Sequence, residues 1–274
     1  KKMSRAKKGK PNVSWNYFKM MNLSAWLGSL IFEWLESTGR TVQLLLRTLR
    51  QLPRMNLRHV IYQMAHLGVD TMPIVFMMIV FTGMVMVWQA TPALSRAGAQ
   101  STTGGLVALA MFRELGPVLS GVVLAGRVGA AITAEIGSMK VTEQIDALRV
   151  MATDPVAYLV VPRFVACILM TPLVVTFANL MGIAGGFVVA TTYTDVGPYT
   201  FIYSIETFTE LTDFTNGLIK SMVFGGIVAI VGCLKGMGAQ EGAEGVGHAT
   251  TSSVVTSIVW IFVMNYFLST WLFR

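Results

Sequence analysis

Charge is the scarcest thing in this sequence. Asp, Glu, Lys and Arg together supply 13% of its 274 residues, about half the ~25% of an ordinary soluble domain. Apolar residues supply 54%, including 18 methionines and 15 phenylalanines. A water-soluble fold of this length cannot keep that much apolar surface dry, so lipid is the solvent for most of the chain. Cysteine is nearly absent too. Cys167 and Cys233 sit inside apolar runs, where the residue behaves as a small hydrophobe, and neither a disulfide framework nor a metal-ligand spacing is present. The histidines, His59, His66 and His248, are scattered.

Other absences exclude whole classes of chemistry. No phosphate-cradling loop exists: Gly9-Lys10 runs into Pro11, and the glycine-rich stretch from Gly236 to Gly247 has no Lys-Ser/Thr after it. That stretch reads as a flexible connection between spans. No nucleophile–base pair or paired carboxylates stand out, so the chain is not expected to be an enzyme or to hold a cofactor. It also shows no internal repeat.

The charge that is present is unevenly placed. The net charge is +7, and 12 of the 21 basic residues precede position 69. A basic flank on an apolar chain marks a cytoplasmic end rather than a nucleic-acid footprint. Charge-free runs then locate the membrane: 25 residues from Thr71 to Ser95, 31 from Phe164 to Thr194 and 29 from Gly245 to Phe273. Each exceeds the ~20 apolar residues of a spanning helix. Two further spans are interrupted by charge: Gly104 to about Ala134, with Arg113, Glu114 and Arg127, and Asn216 to about Gly238, with Lys220 and Lys235. The fold class expected is an all-α integral membrane protein with five transmembrane helices.

With the basic N-terminus inside, the segment from Glu135 to Arg163 is cytoplasmic. The loop from Asp195 to Asp213, holding four acidic residues and no basic one, then lies outside, as does the C-terminus. The first part of the chain differs. Leu23, Trp26, Leu27, Leu30, Ile31, Trp34 and Leu35 repeat at helical spacing. Thr38-Gly39 is read as an interruption, after which Val42, Leu45, Leu46, Leu49 and Leu52 resume until Pro53. Basic flanks and tryptophans make this an interfacial amphipathic helix, with a sixth span or re-entrant helix as the alternative. Lys1 to Lys10 is a basic tail suited to anionic headgroups, without the uninterrupted apolar h-region and small-residue cleavage site of a signal peptide. The domain boundaries expected are 1–53 for tail and interfacial helix and 54–274 for the transmembrane body.

Three constellations carry function. Small residues recur four apart: Pro117, Gly121, Ala125, Gly129 and Thr133, then Ala178, Gly182, Gly186 and Ala190. Such stripes allow close helix approach, between subunits or within one. Arg113-Glu114 falls deep in the second span, where charges cost on the order of 3 kcal/mol each and face a cavity or a partner. Neighbours on a helix diverge by about 100°, so the two cannot face one another squarely, and at least one faces a polar pathway or another helix; an ion pair serving only structure is the alternative. Pro117 removes the backbone donor for the Arg113 carbonyl. Finally, Thr142 can cap a short helix with Glu143 near its start and Ile145, Leu148 and Met151 on one face. Asp154-Pro155 begins the next helix. That short helix reads as a docking element for a cytosolic partner, with a simple interfacial connector as the alternative.

The runs Arg113-Glu-Leu-Gly-Pro-Val, Ala125-Gly-Arg-Val-Gly-Ala, Thr133-Ala-Glu-Ile-Gly-Ser-Met-Lys, Glu143-Gln-Ile-Asp-Ala-Leu148 and Asp154-Pro…Pro162-Arg163, in this order, resemble the MlaE/YrbE permeases, membrane subunits of ABC transporters that work with MCE proteins. The resemblance implies a homodimeric permease of phospholipids between inner and outer membranes, maintaining lipid asymmetry. It implies a separate ABC ATPase, which holds the ATP and Mg, docked on Glu143, Gln144, Ile145, Asp146, Ala147 and Leu148. It further implies a periplasmic MCE lipid-binding protein and an accessory STAS-domain protein. Lipid contacts are expected at Arg113 and Glu114 for the headgroup and at Met86 and Leu94 on the first span for the acyl chains, and helix or dimer packing at Gly121, Ala125, Gly129, Gly182 and Gly186. The localisation expected is a bacterial inner membrane. An ion-coupled secondary transporter using Arg113 and Glu114 as a relay is the alternative from another class, and a structural scaffold a third.

Overall fold

The computed structural model describes residues 32, 35–240 and 242–273. The basic tail Lys1 to Lys10 and the stripe from Leu23 to Trp34 lie outside the described residues. What is described divides into two compact units, with the boundary between Gln43 and Leu44.

The first helix, α1 over 35–51, runs through Thr38-Gly39 without the interruption expected from the sequence. One glycine costs a helix only about 1 kcal/mol relative to alanine. Here Arg40 pairs with Glu36 at 2.5 Å across it, and the Thr41 hydroxyl donates to the Ser37 carbonyl. From Leu44 onward the helix belongs to the larger unit, where Leu44 and Thr48 are buried. Pro53 ends it in a short turn, Leu52–Arg54.

Five helices are long and apolar enough to cross a membrane: α2 (Leu57–Arg96), α3 (Gln100–Val141), α5 (Val156–Tyr193), α7 (Leu211–Met237) and α8 (Gly242–Leu272). Between them lie two short helices, α4 (Gln144–Val150) and α6 (Pro198–Phe208). No strand occurs among the described residues. The Asn56 side chain caps α2 by accepting from the Arg58 amide, and Asp154 does the same for Val156 at the head of α5. At ~1.5 Å per residue, α2, α3 and α5 outreach a ~30 Å hydrocarbon core and project beyond it. The segment read as a loop after α5 holds α6, an amphipathic helix exposing Tyr199, Ile202 and Tyr203.

Two apolar cores stack along the bundle. One, nearer α4, gathers Leu124, Val128, Ile132, Leu159, Phe164, Phe224 and Val228. The other, toward α6, gathers Val75, Ile79, Val87, Val107, Met111, Val174 and Phe201. Glycine brings the backbones together. A Cβ at Gly83 would stand 2.0 Å from the Gly182 carbonyl oxygen, so α2 and α5 touch backbone to backbone. The small-residue stripes are consumed by this packing. Gly121 faces Phe224, Gly129 faces Val228, Gly182 faces Ile79, Gly186 faces Val87, and Ala125 is fully buried. These are packing contacts within the chain.

Candidate functional site

The densest polar cluster is built on α3, α7 and α8. Arg113 and Glu114 lie in a π-helical turn, Met111–Leu115, which inserts a residue into α3 just before Gly116-Pro117. The expected divergence of the two side chains is realised by giving each its own partner, both on α7. Arg113 Nε donates to Asp213 Oδ1 at 2.7 Å, and Nη2 reaches the same oxygen at 2.6 Å. Asp213 is already held, because its Oδ2 accepts from the Glu210 amide in a capping box that starts α7. Seven residues on, two turns along the same face, stands Lys220, which is 0% exposed.

Lys220 uses all three of its N–H groups. Nζ donates to Glu114 Oε1 at 3.0 Å, to Ser269 Oγ at 2.9 Å and to the Arg113 carbonyl at 2.7 Å. The last is the acceptor that Pro117 leaves without a backbone donor. The lysine therefore neutralises the carboxylate and repairs the helix with one group. From α8, Ser269 Oγ donates to Glu114 Oε1 at 2.7 Å and Asn265 Nδ2 to Glu114 Oε2 at 2.9 Å. One turn further, the Phe273 ring lies 5.0 Å from the Arg113 guanidinium carbon and 5.4 Å from Lys220 Nζ.

Asp213 is 5% exposed, whereas Arg113 and Glu114 keep 38% and 42% of their side-chain surface free. The cluster thus buries its supports and presents one guanidinium and one carboxylate under an aromatic ring. Such a pair can receive a zwitterionic or phosphate-bearing group. Met86 packs on the α6-side core and Leu94 lies near the end of α2. Neither is among the side chains that close around Glu114.

Sequence reading missed Asp213, Lys220, Asn265, Ser269 and Phe273. A signal existed: an acid and a base seven apart at Asp213 and Lys220, and polar or aromatic residues four apart at 265, 269 and 273. Each set lies on one helix face.

At the opposite end, α4 is held by ion pairs. Asp146 accepts from Lys140 at 2.9 Å and from Arg149 at 2.9 Å. The hydrogen bond from Lys140 is the main cause that keeps the Asp146 carboxyl below the usual aspartate range. Thr142 does not cap α4 as expected. Its hydroxyl donates to the Ser138 carbonyl and accepts from Gln144 Nε2. Glu143 takes the cap position in a left-handed conformation, φ 59°, with no side-chain cap bond, because the chain must reverse sharply after α3. Ala152, φ 56°, turns the chain again on the far side. Ile145 is buried, Leu148 packs on the α4-side core, and Ala147 is exposed. Met151 leaves the face it was assigned, because the helix ends at Val150. Val150 and Met151 stand out at 89% and 74% exposure, an apolar tip on a charged collar.

Comparison with known proteins matches residues 60–271 to the family Permease MlaE. A probable ABC transporter permease protein of Synechocystis is 46% identical over 81% of this chain and 84% of its own length. One of Rickettsia typhi is 40% identical over 81% and 86%. Protein TRIGALACTOSYLDIACYLGLYCEROL 1, chloroplastic, of Arabidopsis thaliana is 34% identical over 85% of this chain and 66% of its own length.

Proposed function

The chain belongs to the MlaE permease family of ABC transporter permeases, and from that premise we propose that it moves glycerophospholipids between two membranes with Arg113 and Glu114 at the lipid headgroup. The observation that carries this reading is the half-exposed Arg113–Glu114 pair above the buried Asp213 and Lys220. Charges in a membrane persist where they serve a pathway, and here the buried members hold the exposed ones in place. A headgroup phosphate would meet Arg113, a headgroup amine Glu114, and the Phe273 ring would shield both. The Arabidopsis relative, whose name is that of a galactolipid, favours a lipid substrate. The gradient-driven alternative yields to the ABC permease family.

In this reading the subunit carries out no covalent chemistry. Two copies form the permease, each with an ATPase that holds ATP and Mg, and a periplasmic MCE protein and a STAS-domain protein complete the assembly. The ATPase docks on α4, whose exposed Val150 and Met151 enter an apolar groove while Lys140 and Arg149 hold the helix through Asp146. The basic N-terminus and α4 face the cytoplasm of a bacterial inner membrane, and the segment before α2 lies in the interface as an anchor.

The test is photo-crosslinking of a headgroup-proximal diazirine phospholipid to the assembled transporter. Arg113→Gln and Glu114→Gln each delete charge-assisted bonds of about 1.5–3 kcal/mol. Adducts and transport are expected to fall about tenfold or more, with assembly intact. Undiminished adducts in both variants would rule the headgroup role out.

A further inference from the structure

The structure contains a charged cavity that the transport reading does not use. At the α4 end, a cleft of about 490 Å³ opens between the head of α2, the tail of α3 and the head of α5. This lies within the ~300–1,000 Å³ of small-molecule sites. Arg58, His59, Tyr62 and Gln63 line it from α2, Glu135 and Met139 from α3, and Tyr158, Leu159, Pro162 and Arg163 from α5.

Its charge is positive and incompletely answered. Arg163 is buried to 5% exposure, and its Nη2 meets Glu135 Oε2 at 2.8 Å while Nη1 donates to the Leu159 carbonyl. Its Nε, however, has no partner among the described residues, and neither has Gln63 Oε1. Glu135 is half-exposed and makes a single contact with the guanidinium. Arg58 adds a second full positive charge at the rim, and His59 packs edge-on against Tyr158 at 5.2 Å. Two arginines against one carboxylate leave a net positive cavity, with an unpaired buried N–H group and a buried amide oxygen in its wall. The remaining wall is amphipathic: two tyrosines, which favour the lipid–water boundary, above Leu159, Pro162 and Met139.

We propose that this cleft holds the phosphate of a glycerophospholipid headgroup from the leaflet at the α4 end, with Arg58 and Arg163 as its cationic contacts and Glu135 facing the headgroup amine. The two tyrosines bracket the glycerol, and the acyl chains leave along the apolar side. From Glu114 to Glu135 is 21 residues along α3, about 30 Å at the helical rise. The site is therefore separate from the cluster at the other end. It rests on the five helices spanning a bilayer, not on the transport role of Arg113 and Glu114.

The experiment uses the full chain in nanodiscs of phosphatidylethanolamine and phosphatidylglycerol carrying a trace of headgroup-proximal diazirine phospholipid. Adducts are mapped by mass spectrometry. They are expected on the peptides of Tyr62 and Tyr158. Added phosphatidylethanolamine should compete with them, but not diacylglycerol or excess inorganic phosphate. Arg58→Glu, an exposed change that leaves the fold intact, should lower them about tenfold by reversing one charge-assisted contact. Gly126→Ala, outside the cleft and with open space around it, serves as the folded control.

Competition by diacylglycerol would reduce the site to a greasy surface, and competition by inorganic phosphate would make it a soluble-anion site. Crosslinks to residues 1–31 in place of lipid would make it a seat for the chain itself. Any of these, or adducts indifferent to Arg58→Glu, overturns the proposal. Unchanged transport in Arg113→Gln and Glu114→Gln, with these cleft adducts retained, would count against the Arg113–Glu114 reading alone.

Discussion

Replacing Lys220 with methionine isolates what one buried amine does. Methionine fills nearly the same volume but donates no hydrogen bond. The Glu114 carboxylate keeps Ser269 and Asn265 and loses its counter-charge, while the Arg113 carbonyl loses the donor standing in for the missing Pro117 amide. Removing one member of a fully buried pair costs about 3–5 kcal/mol. Glu114 is 42% exposed, so its charge stays partly solvated and the whole loss should sit near the lower limit, about 3 kcal/mol. Of that, an orphaned carbonyl accounts for about 1–2 kcal/mol.

At about 2–4 °C per kcal/mol for a chain of this size, the midpoint of thermal unfolding in detergent should fall by about 6–12 °C. The carbonyl share can then be separated. Pro117→Ala restores an N–H four residues after Arg113. In the Lys220→Met background it should recover about 1–2 kcal/mol, although alone it changes little. The assay is a double-mutant cycle read by intrinsic fluorescence during heating. Strict additivity of the two substitutions would refute the idea that Lys220 repairs the proline-broken helix, whatever the size of the single effect.

Two further outcomes follow from the geometry. Gly83→Ala places a methyl against the Gly182 backbone, which cannot swing aside, so α2 and α5 must separate at about 1–3 kcal/mol. Gly126→Ala, with nothing within 4 Å, should leave the melting midpoint unchanged, and equal shifts in the two would contradict the packing. The Asp146 carboxyl is depressed by its bond from Lys140. Its stabilisation of α4 is therefore complete above the ordinary aspartate range near ~4 and disappears as pH falls through and below it. Hydrogen exchange of the α4 amides should show protection at neutral pH that is lost in acid, and Asp146→Asn should show the weak protection throughout. Acid sensitivity persisting in Asp146→Asn would place the titrating group elsewhere.

The membrane plan was legible because it depends on where charge is missing, and a run such as Thr71 to Ser95 reports that directly. Arg113-Glu114 was legible for the complementary reason, being costly where it stands. Their partners were not. Asp213 read as a member of an acidic loop and Lys220 as a blemish in a span. Which helix face meets which is set by three-dimensional packing, and a single sequence shows no contact between residues 100 apart. The same limit explains the stripes: spacing shows that a helix can be approached closely, not whether the neighbour is its own chain or another. Local chemistry also misled where tertiary geometry outweighed it. Thr142 has a capping side chain, but the reversal between α3 and α4 puts Glu143 at the cap in a left-handed conformation. Gly39 reads as a break, but one weak residue does not stop a helix bridged across it.

The four charges around Arg113 consist of two cations and two anions, close enough to act as one neutral body. A transmembrane potential does work on net charge, about 2.3 kcal/mol per elementary charge for each 100 mV. A rearrangement of α3, α7 and α8 that carries this cluster toward either face moves no net charge through the field. Membrane voltage therefore does no net work on this cluster wherever it sits. Neutralising any one of the four would leave the cluster with a net charge on which the field acts.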